Sequence, residues 1–283
     1  FLESPMSDLD KLYSASQWNA QGKAPEEVIR HFEEVCKKSF EDARKKIISL
    51  LDVDYGPQKL DIWGPNASTA THIFVYFHGG YWQYGSKSDA GPLVELTVNA
   101  AGIPLVSVGY DMATRRSLKD IIDQAKTALE FLQNRFQNAV FTVGGHSAGA
   151  FLAAAAVSAL EDSRRIKQVL LISGIYTLEE FSRTREGRNI NLKESDSELN
   201  INPAKLASNL HRRRITIFVA ENDSPKFHEQ AENLQKSIIE AAGNAVECEK
   251  LFIRLDDHFS IIENMLDRSC DPARHLLRRL RFC

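Results

Sequence analysis

A mostly parallel α/β sheet with helices on both faces is the fold this sequence predicts, and three observations predict it. Short apolar runs rich in β-branched and aromatic residues alternate along the chain with stretches of helical periodicity. One of these runs, Ala139 to Val143, enters the turn Gly144-Gly145-His146-Ser147-Ala148-Gly149 and leaves as a small-residue helix, Ala150 to Leu160. The residues suited to chemistry fall just after predicted strands, where open α/β sheets hold their ligands.

Taken in order, Pro25 to Leu51 predicts a helix. Proline suits its first position, Glu26 and Glu27 follow, and Val28, Phe32, Val35, Phe40 and Ile47 recur along it. Lys59 to Trp63 alternates like an edge strand, with Leu60 and Ile62 on one face. Thr71 to Phe77 reads as a buried strand running into His78-Gly79-Gly80-Tyr81-Trp82. Ile103 to Val108 is a further strand, and Leu118 to Phe136 a helix. Gln168 to Ser173 and Arg214 to Ala220 are buried strands. Pro225 to Ala242 is a helix, Cys248 to Ile253 the last strand and Phe259 to Arg281 the terminal helix. Arg183 to Asn200 is polar and aperiodic. It lies in an insertion over about residues 176–212 that reads either as a lid or as a solvated loop. No repeat or linker divides the chain, so one domain over 1–283 is expected, with Phe1 to Pro5 set aside because they precede Met6.

Composition narrows the function. With 43% hydrophobic residues, 26% charged residues and a net charge of −3, nothing favours a nucleic-acid or polyanion partner. No apolar run reaches a membrane span, and no signal-peptide pattern opens the chain. Cys36, Cys248, Cys270 and Cys283 are too irregularly spaced for a disulfide framework or a zinc site. The expectation is a cytoplasmic protein with reduced thiols, no metal and no organic cofactor. Its expected partner is a small-molecule substrate, and a homodimer is left open. Asn66-Ala67-Ser68 matches a glycosylation sequon that such a protein would not use.

Gly145-His146-Ser147-Ala148-Gly149 fits the Gly-x-Ser-x-Gly nucleophile elbow, a strained strand-to-helix turn whose glycines admit close neighbouring chain. A serine hydroxyl needs a base to become nucleophilic at neutral pH. Of eight histidines, His258 stands directly after the last strand, where an α/β-hydrolase places its base. His146 is adjacent to Ser147 in sequence, so their side chains diverge. His31, His72, His211, His228 and His275 lie in helices, at a strand start or in a basic run. A carboxylate should orient the imidazole. Asp223, between a strand and a helix, is the candidate, with a helix-capping role as its alternative. Glu221 is its closest competitor, while Asp256 and Asp257 stand too near His258. The order Ser147, Asp223, His258 is that of α/β-hydrolases. The Ala148 amide is one oxyanion donor, and Gly79-Gly80 supplies the loop for another. His78 then reads as a brace for that loop.

His78-Gly79-Gly80-Tyr81-Trp82 resembles the HGGxW motif of kynurenine formamidases (arylformamidases), a hormone-sensitive-lipase-like branch of the α/β-hydrolases. Gly109 to Ala113, Gly145 to Ala150, Ser173 to Tyr176 and Asn222 to His228 extend the resemblance over roughly Leu60 to Ile262. It implies hydrolysis of N-formyl-L-kynurenine to L-kynurenine and formate, a step of tryptophan catabolism. Tyr81 and Trp82 are candidates for an apolar wall against the aryl group, with the core as their alternative place. A carboxylesterase for small acyl or aryl esters would use the same machinery. A catalytically dead ligand-binding protein on this scaffold would typically lack one of the three catalytic residues, and all three candidates are present.

Overall fold

The structure is a computed structural model that describes residues 6–64 and 67–281. Phe1 to Pro5, Asn66 of the sequon and Cys283 lie outside the described residues. Helix α1 (Asp8–Tyr13) opens on a reciprocal cap, in which Asp10 N donates to Ser7 Oγ and Ser7 N to Asp10 Oδ2. Helix α2 (Pro25–Lys46) carries Glu26 and Glu27 in its first turn and Arg44, Lys45 and Lys46 in its last, complementing the helix dipole at both ends. It stops short of the predicted Leu51, because Ser49–Asp54 forms a strand, β1.

β1 pairs antiparallel with β2 (Lys59–Trp63), so β2 is an inner strand and β1 the edge. After β2 come β3 (His72–Phe77), α3 (Gly91–Glu95), β4 (Leu105–Val108) and α4 (Leu118–Arg135). The elbow strand β5 (Val140–His146) leads into α5 (Ala148–Ala159), and β6 (Ile166–Ile172) follows. The insertion over about residues 176–212 folds into short turns and two short helices, α6 (Arg185–Asn189) and α7 (Pro203–Asn209). Ile190, Leu192, Ile201 and Leu206 from it are buried in the core. Next come β7 (Arg214–Ala220), α8 (Pro225–Ala242) and β8 (Glu247–Ile253). The predicted terminal helix is two, α9 (Ser260–Glu263) and α10 (Asp271–Arg281). They are separated where Asp267 turns back to accept from Ser269, and Pro272 can stand only in a first turn.

The sheet order is β1-β2-β4-β3-β5-β6-β7-β8. The pairs from β4 to β8 are parallel, whereas β2 runs antiparallel to both its neighbours. Alternation along β3 sends Ile73, Val75 and Phe77 to one face, beneath α4, α5 and α8. Phe74 and Tyr76 go to the other face, against Ala43 of α2, Leu93 of α3 and Leu276 of α10. Each such fully buried side chain contributes about 1.5–3 kcal/mol of apolar burial. From Ala148 to Ser158 every residue of α5 is buried, so this helix lies inside the molecule. β3, β5, β7 and β8 end together, and the loops that leave them carry the candidate site.

Candidate active site

Ser147 sits on the elbow with φ 54° and ψ −121°, a strained conformation for any residue with a side chain. Its amide still donates to Ile172 O of β6 at 2.8 Å, so the sheet holds the turn in that shape. The flanking glycines are there for space. A β-carbon on Gly149 would collide with the carbonyl oxygens of Phe77 and His78, and one on Gly145 with the backbone of Gly149. The elbow is thus wedged against the end of β3, which brings Gly79 to Ser147: a β-carbon on Gly79 would lie 3.2 Å from Ser147 Cβ.

His258 Nδ1 donates to Asp223 Oδ1 across 2.9 Å, and Ser147, Asp223 and His258 are all buried. A buried carboxylate on Nδ1 leaves Nε2 as the basic nitrogen and stabilises the imidazolium that follows proton uptake. His146 supports this arrangement from behind. Its Nε2 donates to His258 O at 2.8 Å, and the two rings lie 4.7 Å apart. Burial, then the neighbouring His258, hold the His146 imidazole well below the usual histidine range, so it stays neutral. The Ser147 hydroxyl makes no hydrogen bond among the described residues; contacts of this kind tighten when substrate arrives.

The competing carboxylates are occupied elsewhere. Glu221 accepts from Leu255 N at 2.7 Å. Asp256 accepts from Ser260 Oγ and Asn264 Nδ2, and burial raises its carboxyl. Asp257 caps α9 through Phe259 N and Ser260 N. These bonds shape the turn that presents His258.

The loop after β3 is built for amide donation. Gly80, Tyr81 and Trp82 have φ of 104°, 52° and 60°, and Gln83 N and Tyr84 N both fold back onto Gly80 O. The amides of Gly79, Gly80 and Ala148 make no hydrogen bond among the described residues, and Gly79 lies against Ser147. Unpaired backbone donors beside a nucleophile are what an oxyanion requires. His78 packs against the loop. It is buried, its Nδ1 donates to Gly79 O at 2.8 Å, and its ring stacks on Tyr110 at 4.2 Å. Desolvation lowers its pKa to about 4.

Of the two places open to the tryptophan, Trp82 takes the core: it is fully buried and packs edge-on against Phe151 and Phe181. Its indole N–H donates to Ala148 O at 3.0 Å, pinning the glycine loop to the elbow helix. Tyr81 is half-buried, with its ring stacked on Phe181. Its hydroxyl donates to Tyr13 O at 2.6 Å and accepts from Ala15 N at 3.1 Å. Sequence reasoning missed these N-terminal partners. The segment around α1 crosses each site loop: Ser224 Oγ, beside the acid, donates to Leu12 O, and Ala20 N donates to Asp257 Oδ2 at 3.1 Å. No local pattern announces contacts of such sequence separation.

Comparison with known proteins follows the same lines. A family model described as alpha/beta hydrolase fold matches residues 74–251. The chain is 33% identical to the kynurenine formamidase of Danio rerio over 96% of both chains. It is 31% identical to that of Salmo salar, with the same coverage. Among solved structures, an esterase from Pyrobaculum calidifontis superposes with a TM-score of 0.69 at 17% identity, covering 98% of each chain. A hormone-sensitive lipase from a metagenome library does so with 0.68 at 15%, covering 98% of this chain and 99% of that one. At such low identity these two speak for the fold. The full-length relatives speak for more: this chain belongs to the kynurenine formamidase family of α/β-hydrolases.

Proposed function

We propose that the protein is a serine hydrolase that cleaves the formamide bond of N-formyl-L-kynurenine through a formyl-enzyme. The buried His258–Asp223 hydrogen bond, set behind the elbow that holds Ser147 beside unpaired amides, carries this reading. The kynurenine formamidase relatives supply the substrate class. In the first half-reaction His258 Nε2 removes the Ser147 proton as Oγ attacks the formyl carbon. The carbonyl oxygen becomes an oxyanion held by the amides of Gly80 and Ala148, with Gly79 beside them. As the tetrahedral intermediate collapses, the C–N bond breaks and His258⁺ gives its proton to the departing arylamine. In the second half-reaction His258 takes a proton from water, whose oxygen attacks the formyl-serine ester. Formate leaves and Ser147 recovers its proton. Formyl is the smallest acyl group, so the acyl side needs almost no room, and specificity falls to the aryl side.

The test compares N-formylkynurenine with p-nitrophenyl acetate for the wild type and Ser147→Ala. A far higher kcat/KM on the formamide, with both activities lost in the variant, is the expected result. Cleavage of the ester alone would move the protein to the carboxylesterases, and full activity in Ser147→Ala would remove serine catalysis altogether.

A further inference from the structure

We propose that Glu186 determines specificity by receiving the α-ammonium group on the amino-acid arm of the substrate. The inference rests on the formamidase reading and goes beyond it, because the catalytic residues select a formyl group and none of them recognises an amino acid. An aryl substrate that carries an ammonium group needs a carboxylate not already spent on the protein.

The carboxylates bordering the site can be taken in turn. Asp223 serves His258, Asp257 caps α9 and Glu221 holds Leu255 N. Asp10 caps α1 and accepts from Arg185 N at 2.6 Å. Glu180 pairs with Lys226 at 2.5 Å, Glu179 accepts from Asn200 Nδ2 at 2.6 Å, and Glu194 pairs with Arg183 at 3.3 Å. Glu186 differs from these in carrying no cation and no backbone amide on its carboxylate, which the Gln83 side chain alone approaches. Its Oε2 is buried with no hydrogen-bond partner, and among the described residues no cationic side chain lies within ion-pair distance of it. A buried carboxylate oxygen left unmatched is costly unless something outside the chain completes it.

Its position suits that use. Glu186 lies in α6, and its carbonyl accepts from Gln83 Nε2 at 3.0 Å, which ties α6 to the glycine loop three residues beyond Gly80. Its charge reaches the same rings that flank the loop. Burial first, and Glu186 after it, push up the phenols of Tyr81 and Tyr84, and Tyr84 is largely exposed at the rim. Burial also raises the Glu186 carboxyl itself, more than the hydrogen bond from Gln83 and the adjacent Arg185 lower it, which is the state an incoming cation would relieve.

The experiment measures kcat/KM for N-formylkynurenine and for 2-formamidoacetophenone, which keeps the ring, ketone and formamide but lacks the ammonium group. Their ratio should fall about tenfold in Glu186→Gln, the worth of one charge-assisted hydrogen bond, with most of the change in KM. Glu186→Lys should lower it further. For the wild type, L-kynurenine should inhibit more strongly than 2-aminoacetophenone, a comparison that needs no variant. An unchanged ratio in both variants, or equal inhibition by the two amines, overturns the role of Glu186 while the formamidase reading stands. A wild type that hydrolyses neither formamide overturns both.

Discussion

Removing a single oxygen, in Tyr81→Phe, tests whether the N-terminal segment holds the glycine loop. The ring stays stacked on Phe181, 6.0 Å between centroids, so apolar packing is conserved. What disappears is the hydroxyl that donates to Tyr13 O and accepts from Ala15 N. Tyr13 and Ala15 are each 2% exposed, so both backbone groups lose their partner where water enters poorly. At about 1–3 kcal/mol for each orphaned group, discounted for relaxation, the variant should lose about 2–4 kcal/mol. That corresponds to a fall in Tm of about 3–7 °C for a chain of this size. The segment keeps its bonds from Ser224 Oγ to Leu12 O and from Ala20 N to Asp257, so it should stay docked. Urea denaturation followed by tryptophan fluorescence gives the stability, and steady-state turnover gives the catalytic cost, expected at about threefold to tenfold in kcat. If the midpoint moves by less than the equivalent of 0.5 kcal/mol and kcat is unchanged, the hydroxyl ties nothing and the reasoning fails.

The other expectations are more direct. Asp223→Asn should lower kcat by about 10³–10⁴-fold, since an amide favours the wrong imidazole tautomer, whereas Glu221→Gln should cost less than tenfold; steady-state kinetics of the pair would expose an inverted assignment. Gly149→Ala puts a β-carbon into the Phe77 and His78 carbonyls and should abolish activity with about 3 kcal/mol or more of lost stability, read by urea denaturation. His72, partly buried and bonded to Thr142 Oγ1 at 2.8 Å, has its pKa lowered to about 4 by desolvation. The unfolded chain therefore binds the extra proton between about pH 4 and 6.5, and this contribution to stability is lost as pH falls through that window. In His72→Gln the slope of stability against pH there should flatten by about 1 kcal/mol per unit, and an unaltered slope would mean that His72 is not buried as a neutral group.

How much of this was legible in the sequence follows from the range of the interactions involved. The elbow, His258 and the glycine loop could be read because each is a local backbone device whose residues are adjacent in the chain. The edge strand β1 could not. Ile47 to Leu51 continue the apolar content of α2, Asp52 adopts φ 57°, and the register shifts between Leu50 and Val53, so no alternation marks the strand. Its evidence is a ladder to β2, which a local pattern does not contain. The break between α9 and α10 could have been found, because Asp271-Pro272 fits the first turn of a new helix better than the middle of an old one. Trp82 was ambiguous because an aromatic after a glycine loop can face either way. Only Ala148 O, 66 residues on, decides it.

The burial of α5 from Ala148 to Ser158 has a consequence for how the molecule comes into being. With no polar face, this helix has no solvent to lie against and gains nothing by forming early. It can settle only once the strands beside it and α4 and α7 are in place to receive it. Ser147 is its N-terminal neighbour, so the proposed nucleophile acquires its geometry in the closing stage of assembly. A chain with its sheet built but α5 still loose is inert and exposes a long apolar surface, the kind of intermediate that aggregates or is held by chaperones. Catalytic competence in this protein is therefore a report that folding is complete.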